Sequence, residues 1–206
     1  MLPMPTPLDP RVRRTRHAVL EALESLLRER PYSSITVQDI TERAGINRAT
    51  FYAHYREKHE LFVQLVEKHF ASVLAAHAPP PGNFTVHDLR WLLQGVCGFL
   101  AQVHQDRREH PCEMDAAVDL QVQRQLKACV VDALQHASQR PNSRCVSREL
   151  TATLLAGGIY TAANSWGSLC PSPALNAYLE QAMVFLSAGV IATGYVQDEP
   201  RQPSKH

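Results

Sequence analysis

The 206-residue chain has no apolar run near the ~18 residues that a membrane span needs. The best stretch, Phe185 to Val196, is short and broken by Ser187, Gly189, Thr193 and Gly194. The N-terminus carries Pro3, Pro5, Pro7 and Pro10 where a signal peptide would carry an apolar core, so a cytoplasmic home is expected. Cysteines number five (97, 112, 129, 145 and 170), an odd count with no Cys-x-x-Cys pair, which is a poor disulfide framework and agrees with a reducing compartment. Gly-x-Ser-x-Gly, a Walker loop, Gly-x-Gly-x-x-Gly and His-Glu-x-x-His are all missing, and with them the familiar marks of hydrolase, nucleotide and zinc-protease chemistry. No strand-like alternation exceeds four residues, and no 20–50-residue repeat is present.

Apolar residues make up 45% and charged residues 20%, the mix of a globular chain with a core. Helical spacing then recurs from end to end. It predicts helices over about 11–30, 37–44, 48–55, 58–77, 86–105, 114–137, 146–166 and 173–194, separated by prolines and glycines. The run Pro79-Pro80-Pro81 is the sharpest break, because no helix crosses three consecutive prolines. The expected fold is all-α. Its expected order is a disordered arm over 1–10, a helical unit over 11–57, a connecting helix over 58–78, a second helical domain over 85–196, and a disordered tail over 197–206.

A net charge of +1 hides an uneven distribution. Residues 1–70 hold 11 Lys and Arg against 9 Asp and Glu, and the excess gathers at Arg11, Arg13, Arg14 and Arg16. Such an arm suits phosphates, although short arginine runs also solvate ordinary helix starts. More telling is the stretch that follows. Thr36 and Asp39 fit a capping box, Gly45 suits a helix end with positive φ, and Asn47 is a good N-cap. Two short helices joined by Gly45-Ile46 form either a helix-turn-helix or an ordinary helical hairpin. In the first case Asn47, Arg48, Ala49 and Thr50 lead the helix that enters the major groove. Arg48 can donate two hydrogen bonds to guanine, and Ala49 or the Thr50 methyl can meet a thymine methyl. Thr36, Tyr52, His54 and Lys58 have the chemistry for phosphate contacts.

Ile35-Thr36-Val37-Gln38-Asp39-Ile40, then Ala44 through Tyr55, then Lys58-His59-Glu60-Leu61-Phe62, resemble the DNA-binding signature of the TetR/AcrR family without a gap over about residues 12–65. The resemblance implies a homodimeric, all-helical regulator, usually a repressor, that releases a palindromic DNA operator when a small molecule binds its C-terminal domain. It implies that Asn47, Arg48, Ala49 and Tyr52 touch DNA in the groove and that Thr36, Thr50, His54 and Lys58 grip the backbone. Tyr55 stands where the family usually has Phe, so its hydroxyl needs a partner. Phe51 and Tyr55 are expected to pack inward against Ile40 and Leu20.

Beyond residue 82 only the general plan is similar. Trp91, Phe99, His104, Met114, Cys129, Tyr160, Asn164 and Trp166 are candidates to line an effector cavity, with core packing as the alternative for each. Leu150, Leu154, Gly157, Gly158, Leu179, Ala182, Leu186 and Gly189 recur at three- and four-residue steps and are candidates for a dimer interface, with intrachain packing as the alternative. His104, His110 and Cys112 lie close together, but their spacing matches no helical ligand pair, so no metal and no cofactor are expected. The competing classes are a helical enzyme and an adaptor using the N-terminal unit only for assembly. The acidic residues after 82, Asp88 among them, are expected on solvated faces.

Overall fold

The computed structural model describes residues 9–79, 84–109, 115–135, 146–169 and 173–196. His110, Cys112, Met114, Cys145, Cys170, the expected tail and nearly all of the expected arm lie outside them. Among the described residues there are helices and no strand: α1 (Pro10–Leu27), a 3-10 turn (Tyr32–Ser34), α2 (Val37–Ala44), α3 (Arg48–His54), α4 (Lys58–His77), α5 (Val86–Glu109), α6 (Asp115–Gln135), α7 (Arg148–Ser168) and α8 (Leu175–Ala192). The contacts divide into two compact units, and the division falls inside α4, between Lys68 and His69.

In the first unit α1 starts one residue earlier than its spacing predicts. Asp9 caps it by accepting from the Arg11 amide at 2.8 Å, and Pro10 occupies the first helical position, where a missing N–H costs nothing. It also ends earlier, at Leu27 and not Arg30. The amides of Glu29 and Arg30 both bond to the Leu26 carbonyl, closing the helix before Pro31. Val19, Leu23, Leu26, Ile35, Ile40, Phe51, Tyr55 and Leu61 form the core of this unit, with Leu20 and Ile46 packed against it. Arg43 ties α2 to α1 at the surface, donating to both carboxylate oxygens of Glu29 (2.8 and 2.9 Å) and to the Ser25 hydroxyl (2.7 Å).

In the second unit α5 and α7 make the most extensive contact, and both also pack on α8. Gly167 permits α7 to approach α5 closely. A Cβ there would lie 2.7 Å from the His104 ring and 3.2 Å from the Ala101 backbone nitrogen. α5 opens with a second capping box, in which Asp88 accepts from the Thr85 amide (2.9 Å) and hydroxyl (2.6 Å). Asp88 is thus a cap and not part of a solvated face. α8 begins at Leu175, ahead of the stretch singled out in the sequence, and reaches 18 residues. By length and composition alone it could cross a bilayer, contrary to the sequence expectation, yet only 22% of it is buried within the chain.

Gly45 is the position where the backbone requires glycine. It closes α2 at φ 67°, and a Cβ placed there would meet nothing within 4 Å, so any cost of a side chain is pure backbone strain. Gly45→Ala should therefore destabilise the fold by about 1–2 kcal/mol, and Gly45→Asn by less, since Asn tolerates left-handed φ. Urea titration of the full chain by circular dichroism checks this ordering; equal losses would contradict it.

Candidate nucleic-acid interface

α3 has seven residues, too few to persist alone, and its ends show how it is held. Asn47 accepts from the Thr50 amide (2.7 Å) and the Thr50 hydroxyl (2.9 Å) through one side-chain oxygen. That leaves the Asn47 NH2 as the end able to donate outward. Before it, Ile46 N–H bonds to the Thr41 carbonyl at 3.0 Å, folding the chain over Gly45. Inward, Phe51 and Tyr55 are fully buried and tilt against each other at 5.5 Å between ring centres. The Tyr55 hydroxyl finds Gln64 at 3.2 Å, and burial pushes its pKa up. The expected inward packing of this pair, and the partner that the extra hydroxyl requires, are both present.

Outward, Asn47, Arg48, Ala49 and Tyr52 are exposed together; Tyr52 is 56% exposed, braced edge-on by Phe51. Thr50 and His54 are half-buried. The Thr36 hydroxyl is already engaged, donating to Asp39 at 2.7 Å and accepting from the Asp39 amide at 3.2 Å. The Thr36 hydroxyl, the Thr36 amide and Arg30 hold the Asp39 carboxyl well below the usual carboxylate range. Because that pKa is depressed on folding, the stabilisation is present above the ordinary carboxylate value and is lost as pH falls through the folded one. Lys58 has an inward role that its spacing concealed. Its ammonium donates to the carbonyls of Tyr32 (2.9 Å) and Ile35 (2.5 Å) and sits 4.1 Å from the centre of the Tyr32 ring. Sequence reasoning missed Gln38, whose amide oxygen accepts from Arg48 at 3.4 Å. The signal was available: two residues past the Thr36 cap, it stands beside the turn that delivers Arg48.

The effector candidates do not converge as a group. His104 and Asn164 meet at 2.8 Å, joining α5 to α7. Phe99 packs on Phe70, Trp91 stacks on His77 with its indole N–H on the Ala76 carbonyl, and the Trp166 indole donates to Pro173. Tyr160 is half-buried, and Met114 is outside the described residues. The Cys97 thiol is pushed up to about 12 by burial, and Cys129 is raised by burial and by Asp132, so both are inert, free thiols. Among the described residues no three His, Cys, Asp or Glu gather as a metal site.

The dimer candidates separate into two sets. Leu179 and Leu186 are buried within the chain itself, and a Cβ on Gly158 would lie 2.7 Å from a Leu186 methyl. Burial in the chain's own core withdraws Leu179 from any partner, and Gly158 serves the α7–α8 approach. Leu150, Leu154, Gly157 and Gly189 are exposed, and Ala182 is half-buried. Sequence spacing missed Val184 and Phe185, which are 74% and 81% exposed. With Leu154 and Gly189 they line an open, apolar groove of about 800 Å³ along α7 and α8.

Residues 19–65 match the family model of bacterial regulatory proteins, tetR family. An uncharacterised HTH-type transcriptional regulator, YxbF of Bacillus subtilis, is 37% identical over 84 residues, which is 39% of this chain and 22% of that protein. The HTH-type transcriptional regulator EthR of Mycobacterium tuberculosis is 37% identical over 51 residues, 25% of this chain and 24% of its own length. The matched stretch thus spans about a quarter or less of these curated relatives. Among solved structures, Thermus thermophilus FadR, a TetR-family repressor in complex with lauroyl-CoA, is 19% identical with a TM-score of 0.56, covering 92% of this chain and all of that one. At that identity the likeness concerns the fold. The capped α2–α3 unit lies within the stretch, residues 19–65, that is similar to the tetR family of bacterial regulatory proteins.

Proposed function

We propose that the chain is a sequence-specific DNA-binding transcriptional regulator, a repressor that acts in the cytoplasm as a homodimer on a palindromic operator and releases it when a small molecule binds the C-terminal unit. The observation that carries the reading is the first turn of α3. Its cap, Asn47, and the next two residues, Arg48 and Ala49, are exposed side by side, while Phe51 and Tyr55 fix the helix from behind. That arrangement presents a hydrogen-bond donor pair and a methyl group where a major groove offers acceptors and thymine methyls.

Lys58 enters this proposal as a pin for the turn over 31–35, since two of its three donors already meet carbonyls. The C-terminal unit enters it in two ways. The exposed Leu154, Val184 and Phe185 supply a face for a second copy of the chain. The joined His104 and Asn164, with Tyr160 and Trp166 on the same helix as Asn164, are the polar and aromatic groups most suited to an effector. FadR, which binds lauroyl-CoA, supports a small organic ligand without naming this one. The family's relatives are regulators, and the reading assigns no catalysis to this chain.

Selection of bound sequences from random duplex DNA at about 0.2 M salt tests the function, because non-specific contacts weaken steeply by that concentration. Enrichment of a two-fold symmetric motif is expected; recovery of no motif would overturn the proposal. Arg48→Ala should then cost about 1–3 kcal/mol of operator affinity and relax the choice of one base per half-site. Unchanged affinity, by titration at fixed salt, contradicts that role.

Lys58→Ala is expected to lower the thermal midpoint, because charge-assisted hydrogen bonds of this kind contribute roughly 1.5–3 kcal/mol, while leaving the salt dependence of DNA binding unchanged. A salt slope flattened by about one unit, with the midpoint intact, would instead return Lys58 to phosphate binding.

Phe185→Asp should turn a dimeric protein monomeric at micromolar concentration in sedimentation, with helicity kept, since the ring is not part of the chain's own core. A monomeric wild type sinks the homodimer.

A further inference from the structure

α2 and α3 are linked at the exposed face by a chain of three polar side chains. Glu42 accepts from the Gln38 NH2 at 2.8 Å, and the Gln38 carbonyl oxygen accepts from an Arg48 Nη at 3.4 Å. The order is chemically forced. Glu42 is an acceptor only and Arg48 a donor only, so a single orientation of the Gln38 amide satisfies both neighbours. Gln38 and Glu42 stand one helical turn apart on α2, so the first bond is a geometric consequence of the helix. The second crosses to α3, with Gly45-Ile46 between.

We infer that Gln38 is a positioning residue for base recognition: held by Glu42, it sets the place of the Arg48 guanidinium and so fixes which base Arg48 prefers. The inference rests on the proposed reading of α2–α3 as the DNA-reading unit. An exposed arginine has many rotamers, and each must be given up when it meets a base edge. A tether made before DNA arrives reduces that loss and narrows the directions from which the guanidinium approaches. At 3.4 Å the bond is at the long end of hydrogen-bond geometry, loose enough for Arg48 to keep its other N–H groups for the base. Glu42 matters for a second reason. By occupying the Gln38 NH2, it stops the amide from turning over and presenting a donor to a donor.

Alanine at either α2 position removes an exposed side chain from a helix that its caps and Ile40 hold, so folding should survive. The experiment is selection from random duplex DNA by wild type, Gln38→Ala, Arg48→Ala and the double variant, with thermal midpoints and salt slopes measured alongside. Gln38→Ala is expected to reduce the preference at the Arg48-dependent position by about tenfold, within the range of one good base contact. Its salt slope and midpoint should stay at wild-type values. The double variant should be no less selective there than Arg48→Ala alone. Glu42→Ala, which leaves the Gln38 amide free to turn over, should lose part of the same preference at that position and at no other. A purely structural role would move the midpoint and every position alike.

Three results overturn the inference by itself: undiminished preference in Gln38→Ala, additive losses in the double variant, or undiminished preference in Glu42→Ala. A wild type that enriches no sequence at all overturns the proposed function first, and this inference with it.

Discussion

A helix of seven residues cannot stand in water, because the cost of its first turn is not recovered over so short a length. Everything around α3 answers that constraint. Asn47 caps its start, the Tyr55 amide closes its end on the Phe51 carbonyl at 2.9 Å, and Phe51 sinks completely into the core made by α1 and α2. Burying one such ring is worth roughly 1.5–3 kcal/mol, comparable to what the cap supplies. The result is a short helix whose back is rigid and whose front, apart from its cap, carries little structural duty. That separation is what lets Arg48, Ala49 and Tyr52 be chosen for what they contact rather than for what they stabilise, while Asn47 serves both ends.

The basic side chains of the first unit show the same division of labour. Arg43 is held bidentately by Glu29, Arg30 by Asp39, and Arg28 by Glu24 at 2.9 Å. Arg16 lies over the Tyr55 ring, its guanidinium carbon 5.7 Å from the centre. Exposed pairs of this kind add little stability one by one. Their consequence is positional: Arg43 and Arg30 join α2 to the end of α1, while Arg28 and Glu24 pair along α1 itself. Arg48 differs, since its one bond is to a neutral amide and is the longest of the set. A guanidinium tied to a carboxylate would have to give up an ion pair to meet a base, whereas this one gives up far less.

The N-terminal unit was legible because its signals are local. A capping box, a glycine at positive φ and an asparagine cap are each set by two to four neighbouring residues, and each is found where the spacing predicts it. What escaped was the sharing of donors across elements. Lys58 reaches back 26 residues to Tyr32, and Arg48 reaches Gln38 across the turn; periodicity says nothing of such bonds. Asp88 escaped for a different reason: the pair Thr85 and Asp88 repeats the pattern of Thr36 and Asp39, but lies behind the proline break, where acids were read as surface. In the C-terminal unit, spacing found the helices but did not separate the exposed side of α8 from its buried one. The run Met183-Val184-Phe185-Leu186 is apolar all the way round the helix, so period alone cannot tell Met183 and Leu186, which are buried, from Val184 and Phe185, which are not.

That all-round apolarity leaves α8 a face that calls for cover. Gly157 on α7 and Gly189 on α8 are exposed, and a Cβ at either would meet nothing within 4 Å. Bare backbone at such positions lets a second helix approach closely. The adjoining groove is lined by apolar side chains of both α7 and α8, so one element alone does not form it. A partner of matching shape is the economical way to cover such a face, and a second copy brings the same shape by symmetry. The DNA side of the proposal makes the same demand independently. One short recognition helix reads only a few base pairs, too few to stand out among roughly a million or more competing genomic sites. Two copies related by a two-fold axis double the sequence read and require half-sites spaced by a helical turn or a multiple of it. On the proposed function, an exposed apolar face on α7 and α8 and a seven-residue reading helix are two consequences of one design, in which neither half suffices with a single chain.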